Sequence, residues 1–263
     1  MTQPRGARWA RALLESDVRE VTAVPSVRVF DGMLAGKPWR TLAVVPDAGG
    51  RFARARGGEL GLDEGVALAR AIVEAPPDAA LLAVVDVPGQ AFGRREEAAG
   101  IHIALAAAVD AYATRRRAGE PVFALIVGKA ISGAFLAHGL QAGWIGALDA
   151  ADVEVHVMSA ASVVRVTRTP PGEVARLAAI VPATARDIAT FARFGAIDAR
   201  FRVADSSVPT PEECSTIGAA LHAARLAGLG TRHPRERLDA AAARVSRRHA
   251  REVRARIAAW WNT

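Results

Sequence analysis

Apolar residues recur at helical spacing or in short continuous runs along most of the chain, and the two patterns predict alternating helices and strands. At the N-terminus, Trp9, Leu13 and Leu14 share one face of a helix predicted over residues 1–20. The β-type runs are bounded by turn-forming glycines and prolines and cover residues 27–30, 39–45, 81–87, 121–127, 144–148 and 153–158. We expect the first two runs to form a hairpin.

Helical spacing predicts the connecting elements, which cover residues 62–75, 96–118 and a segment ending near 141. From 171 to 263 the chain is predicted to be mainly helical, with Thr210 capping one helix and a last helix over 234–261. Buried strands are each followed by a glycine-containing turn and a helix, which indicates a mostly parallel sheet with crossover helices. With no clear linker, residues 1–263 are predicted to form a single α/β domain.

Composition excludes several classes of protein. The chain has 263 residues, of which 51% are hydrophobic, too many for a disordered chain. Cys214 is the only cysteine, so no disulfide forms within the chain. No apolar run approaches the roughly 20 residues that span a bilayer. The N-terminus carries charges where a signal peptide has its apolar core, so a soluble cytoplasmic protein without a membrane partner is expected.

The charge is positive and almost entirely arginine. Lys and Arg total 34 against 27 Asp and Glu, and the only lysines are Lys37 and Lys129. A codon-biased genome or an acidic partner would each explain this excess. Aromatic residues make up only 5% of the chain and no RNA-binding signature is present, so no nucleic-acid partner is expected. No His, Cys or carboxylate cluster has metal-ligand spacing, so we predict no metal site.

The candidate chemistry lies between residues 86 and 140. Two apolar strands there run into glycine-containing turns that open helices, in the segments 86–100 and 126–139. Parallel strands place their carboxyl ends at one edge of the sheet, so both turns would present backbone N–H groups to one pocket. Glycine allows a substrate to approach that backbone closely. Such a pocket can hold developing negative charge without a side-chain nucleophile.

Side chains in the second turn leave alternatives open. Lys129 could neutralise a carboxylate, although a solvated surface lysine is the simpler interpretation. Ser132 stands at a strand-to-helix turn, where a nucleophile can be placed, but the residues favour a small capping or packing serine over a nucleophile. The candidate bases for such a nucleophile are His102, His138 and His156, and no sequence spacing ties one of them to the serine.

Both segments resemble the C-terminal half of acyl-CoA carboxyltransferases and biotin-dependent decarboxylases. In that superfamily a D-x-P-G-x-x-x-G-x-x-x-E run precedes a glycine-rich loop and helix, and here the segments read DVPGQAFGRREEAAG and GKAISGAFLAHG. The stretches RARGGELGLDEG and FGAID resemble one family in particular, the gamma subunits of biotin-independent malonate decarboxylase. The likeness covers roughly residues 25–230.

The resemblance implies a crotonase (ClpP)-like spiral of ββα units with a mainly helical C-terminal region. It further implies a homologous beta subunit, with the active site between the two chains in a hetero-oligomer. The substrate would be a malonyl thioester carried on the prosthetic-group thiol of an acyl carrier protein, with no cofactor bound directly. Loss of CO2 would leave an enolate, which oxyanion-hole donors stabilise on the way to the acetyl thioester.

By position, the resemblance assigns the donors to backbone N–H groups at Gly93 and at Ser132 and Gly133. The residues it implies around the substrate are Gly89, Gln90, Gly128, Lys129 and Ile131, with the two glycines shaping the turns. Many relatives have a shorter aromatic-proline variant in place of residues 90–92, so the ligand group held by these loops stays open.

Two other functions remain as alternatives. One is a self-contained hydrolase of the same fold with Ser132 as nucleophile. The other is a non-catalytic subunit that scaffolds a complex or docks the carrier protein. Acyl carrier proteins are acidic, and an arginine-rich surface would steer one toward the site. The loop arginines that could contribute are Arg51, Arg54, Arg56, Arg94 and Arg95.

Overall fold

A computed structural model describes residues 3–158, 160–180, 185–239 and 247–261. Its strands are β1 Ser16–Glu20, β2 Val27–Leu34, β3 Lys37–Val44, β4 Ala80–Val87, β5 Val122–Ile131, β6 Trp144–Leu148, β7 Glu154–His156 and β8 Ala199–Phe201. Its helices are α1 Arg5–Ala12, α2 Leu62–Val73, α3 Arg94–Ala98, α4 Ile101–Arg117, α5 Ser132–Ala137, α6 Ala160–Thr167, α7 Pro171–Ile180, α8 Ile188–Arg193, α9 Pro211–Leu226, α10 Glu236–Asp239 and α11 Arg248–Trp261.

The sheet is antiparallel at one end and parallel through its centre. Strands follow the order β1-β2-β3-β4-β5-β6-β8, and β7 pairs with β5 off this path. The predicted hairpin is β2 and β3, joined at Ala35 and Gly36, both with positive φ. From β3 to β8 neighbouring strands are parallel, and helices cross between them. The predicted parallel sheet with crossover helices is therefore confirmed.

Strand β5 is longer than predicted and changes partner along its length. It pairs with β4 as far as Ala130, while its other edge pairs with β6 through Phe123 to Ile126 and with β7 through Lys129 to Ile131. Val85 pairs with Ile126 and Val87 pairs with Ala130. Strand β4 advances by two residues between these pairs and β5 by four, so β5 forms a bulge there. The expectation that Gly128 shapes a turn and that Lys129 lies in the loop is wrong, because both belong to this strand.

The N-terminal helix is shorter than the predicted residues 1–20. It ends at Ala12, and Ser16–Glu20 form the edge strand β1, because pairing with β2 satisfies this backbone. The docking face is as expected: Trp9 is fully buried and its Nε1–H donates to the Ser206 carbonyl at 2.7 Å. Helix α1 thereby covers the sheet.

Two other predicted helices differ from the structure. The helix expected over 96–118 is split at Gly100, whose left-handed backbone (φ +87°) separates α3 from α4. The helical C-terminal region begins at Ala160 rather than 171. Thr210 caps α9 as predicted. Of the last predicted helix, the structure describes α10 and α11, and residues 240–246 lie outside the described residues.

Candidate functional site

A cavity of about 670 Å³ opens where β4 and β5 end. The sequence-predicted residues Gly89, Gln90, Ile131 and Ser132 all line it. The two glycine-containing segments therefore meet at one pocket, as parallel strand ends do. Further walls come from the loop of residues 47–61, the rest of the loop after β4, the residues that follow β7, and helix α6.

The loop after β4 is held rigidly along its backbone. Leu60 N–H donates to the Gly89 carbonyl at 2.9 Å, and Ala91 N–H donates to the Leu60 carbonyl at 2.9 Å. Gly89 has φ +144°, a conformation that L residues rarely adopt, although a Cβ there would meet nothing within 4 Å. This glycine is thus required by its backbone conformation rather than by crowding.

Gly93 precedes α3 in an extended conformation. A Cβ at this position would lie 2.5 Å from Glu96 Oε2 and 2.6 Å from Arg54 Nε, so two charged side chains close over it. Within the described part of the chain, no hydrogen bond uses the Gly93 N–H. The predicted donor is therefore unpaired among the described residues, with the Arg54 guanidinium and the Glu96 carboxylate both beside it.

The junction of β5 and α5 carries backbone strain and a contact between the two segments. Ser132 has φ +58°, which is uncommon for a residue with a side chain. The next residue, Gly133, donates its N–H to Gln90 Oε1 at 2.9 Å. A Cβ on Gly133 would also lie 2.9 Å from this oxygen, so the glycine makes the close approach possible.

Gly128 and Lys129 are placed around Asp86 instead of the cavity. Lys129 N–H donates to Asp86 Oδ1 at 2.9 Å, while Arg5 Nε donates to Asp86 Oδ2 at 2.9 Å. A Cβ at Gly128 would lie only 2.0 Å from Asp86 Oδ1. The aspartate of the D-x-P-G motif therefore joins helix α1 to the bulge of β5, and neither Gly128 nor Lys129 is among the cavity-lining residues.

None of the three histidines is arranged as a base for Ser132 among the described residues. His102 is exposed on α4, and His156 contacts Arg186 and Glu154. His138 is fully buried, with Nδ1 3.0 Å from Tyr112 Oη and Nε2 3.2 Å from the Val84 carbonyl. No hydrogen bond within the described residues joins Ser132 to a histidine, so nothing there activates this hydroxyl.

Burial lowers the pKa of His138 to about 4, so folding keeps this imidazole neutral. The unfolded chain binds its proton below about pH 6.5. The contribution of the neutral imidazole to the free energy of unfolding is therefore fully present above pH 6.5 and is lost as the pH falls toward 4. We expect the wild type to lose about 2 to 3 kcal/mol more than His138→Gln between pH 7 and pH 4.5, measured by urea unfolding. Equal losses in both proteins would contradict this assignment.

Two arginines of the cavity are not predicted as site residues by the sequence. The sequence predicts Arg54 only as a steering charge, and it gives no signal for Arg165 because the position of α6 depends on tertiary packing. Both line the cavity and are exposed. Neither pairs with any other residue that the structure describes. They give the cavity mouth a positive charge suited to an anionic ligand.

The cavity is bordered by exposed apolar side chains. Phe92, Val157 and Val166 line it and are 60%, 79% and 65% exposed. Leu136, on α5, is also exposed. An apolar rim of this kind is typical of a surface that another chain covers.

Over the described ranges, no group of three or more His, Cys, Asp or Glu side chains is placed to hold a metal ion. No helix in this same part of the chain is both long and apolar enough to cross a bilayer.

Comparison with known proteins gives matches over nearly the whole chain. A family model described as malonate decarboxylase gamma subunit matches residues 55–261. A chain of a Pseudomonas malonate decarboxylase hetero-tetramer in complex with coenzyme A is 45% identical, with a TM-score of 0.86, covering 97% of this chain and 100% of that chain. A chain of the Pseudomonas MdcD–MdcE hetero-dimer is 42% identical, with a TM-score of 0.83, covering 98% and 100%.

More distant matches support the fold. Malonyl-S-ACP:biotin-protein carboxyltransferase MADD of Malonomonas rubra is 38% identical over 128 residues, 45% of this chain and 44% of that protein. The match thus spans less than half the length of this curated relative. Transcarboxylase 12S is 19% identical with a TM-score of 0.63 over 84% of this chain and 40% of that chain, a likeness of fold alone. The predicted crotonase-like fold is confirmed.

Proposed function

The chain belongs to the malonate decarboxylase gamma subunit family, and we propose that it is a catalytic subunit that removes CO2 from a malonyl thioester. Its activity requires a homologous beta subunit, and the thioester is carried by an acyl carrier protein. The observation that carries the proposal is the 2.9 Å hydrogen bond from Gly133 N–H to a carbonyl oxygen, that of the Gln90 side chain, at the cavity. The same backbone donor suits the oxygen of an acyl group.

Decarboxylation needs little from the protein beyond placed donors. The bond between the carboxylate carbon and the α-carbon breaks, and its electron pair moves toward the thioester carbonyl to give an enolate. CO2 leaves, and one proton added at the α-carbon yields the acetyl thioester. Backbone donors at Gly93 and at Ser132 and Gly133 stabilise the developing negative charge, which is the largest effect in reactions of this type. Gly89, Gln90 and Ile131 contact the bound acyl group.

The residues around the cavity support the proposal of two protein partners, a second subunit and a carrier protein. The apolar rim of Phe92, Val157 and Val166 suits a second protein chain, and the similar Pseudomonas chain forms an MdcD–MdcE hetero-dimer. Arg54 and Arg94 are exposed, and neither has a hydrogen bond or ion pair with another described residue. These charges suit the acidic surface of a carrier protein.

The other three loop arginines support carrier docking less directly. Arg51 pairs with Asp63, Arg56 donates to the Gly50 carbonyl, and Arg95 lies over the Phe52 ring. Their charges are partly engaged by the chain itself. We therefore assign steering mainly to Arg54 and Arg94.

The test compares this chain alone with the chain co-expressed with its homologous beta subunit. We expect malonyl-thioester decarboxylation only in the pair, because a lone chain exposes the rim and leaves the cavity open to water. Activity is measured as CO2 release from malonyl carrier protein, with carrier protein lacking its prosthetic group as the blank.

Other outcomes identify the alternatives. Hydrolysis by the chain alone that disappears in Ser132→Ala would establish the hydrolase. A stable but inactive complex would favour the scaffold or carrier-docking subunit and would contradict the decarboxylase proposal.

A further inference from the structure

The side chain of Gln90 stands between the Gly133 donor and the cavity. Gly133 N–H donates to Gln90 Oε1 at 2.9 Å, and Gln90 lines the cavity. A backbone N–H can bind only the oxygen of a carboxamide, so this bond fixes which end of the amide is which. Gln90 Nε2, with its two N–H donors, makes no hydrogen bond to any described residue.

The position of Gln90 is fixed at its backbone as well as at its tip. On either side of it, Gly89 and Ala91 are bonded to Leu60, and its own carbonyl accepts from Phe92 N–H at 2.9 Å. With both ends held, the carboxamide is oriented before any ligand arrives. Donors arranged in advance contribute more than donors that must reorganise during a reaction.

We propose that Gln90 is a catalytic residue whose Nε2–H donates to the anionic oxygen of the substrate, with Gly133 as the positioning residue that orients it. This inference rests on the proposed decarboxylase function and deepens it. The backbone donors at Gly93 and Ser132 keep their proposed role, and the Gln90 amide acts in place of the Gly133 N–H, which stays bonded to Oε1. Accepting a bond at Oε1 polarises the amide and strengthens Nε2–H as a donor. An enolate or carboxylate oxygen gains most from such a donor.

Substitutions of similar length separate this role from simple space filling. In Gln90→Met the side chain keeps its reach but loses both amide atoms, and we expect kcat/KM of the assembled enzyme to fall about 100-fold. In Gln90→Glu one oxygen still accepts from Gly133, but the other faces the substrate as a second negative charge. We expect a larger loss at pH 8, which shrinks as the pH falls toward 5 and a growing fraction of the acid carries an O–H donor.

The measurements are kcat and KM of the co-expressed complex for malonyl carrier protein, with the melting temperature of each variant complex as the control for folding. Kinetics of Gln90→Met equal to or better than wild type, with an unchanged melting temperature, would overturn the proposal and show that the side chain only blocks the Gly133 donor. A pH-independent loss in Gln90→Glu would overturn it as well. A wild-type complex that releases no CO2 would instead refute the proposed function.

Discussion

Replacing Gly133 with valine lowers kcat/KM of the assembled enzyme at least about 100-fold and leaves the chain folded. A Cβ at this position would lie 2.9 Å from Gln90 Oε1, so the glutamine side chain must withdraw. The donor arrangement at the cavity is then lost. Folding survives because the clash is with the far end of one flexible side chain and not with backbone.

The matched control for this variant is Gly172→Val. Gly172 lies in α7, and a Cβ there would meet nothing within 4 Å. We expect this control to keep its activity, which is measured as CO2 release from malonyl carrier protein beside circular dichroism of both complexes. Full activity in Gly133→Val would show that the β5–α5 turn takes no part in the reaction.

Replacing Gly128 with alanine destabilises the folded chain by about 2 to 4 kcal/mol. The added Cβ would lie 2.0 Å from Asp86 Oδ1 and 2.5 Å from Arg5 Nη2, and these side chains are largely buried. No small rearrangement relieves contacts this short. The carboxylate must therefore leave the Arg5 guanidinium and the Lys129 N–H, and helix α1 loses its anchor on the sheet.

Gly49→Ala serves as the comparison, since its Cβ would meet only Asp47 Oδ1, at an ordinary 3.4 Å. The free energy of unfolding of both variants is measured in urea at pH 7. Asp86→Asn gives a milder version of the same defect, because an amide oxygen can still accept from Lys129 but carries no charge. If Gly128→Ala were as stable as Gly49→Ala, the bulge of β5 would not depend on the ion pair between Arg5 and Asp86.

Local sequence patterns predict the strands that position the site but not the full extent of these strands. The continuous apolar runs of β4 and β5 predict buried parallel strands, and this places their carboxyl ends at one edge. The pattern could not predict that β5 continues through Gly128 to Ile131. That extension depends on β7 and on Asp86, which are distant in sequence.

For the cavity side chains, too, local patterns predict some positions and miss others. Glycine spacing predicts turns with accessible backbone, and Gly89 and Ser132 do line the cavity. Arg165 enters the cavity only because α6 packs across it, and no periodicity in one chain encodes that placement. The Gln90 to Gly133 hydrogen bond joins residues 43 positions apart, so its existence depends on the completed sheet.

The hydrogen bonds of Arg5 also constrain the order in which parts of the fold can form during synthesis. Arg5 donates to Asp86, to Asp152 and to Ser206 Oγ, and Trp9 donates to the Ser206 carbonyl. Helix α1 is thus held partly by residues that are synthesised about 200 positions later. A nascent chain can pair its central strands earlier, but α1 stays without these contacts until residue 206 has emerged. Helix α1, which holds the Asp86 carboxylate at the β5 bulge, is therefore synthesised well before these partners and is among the last elements to dock.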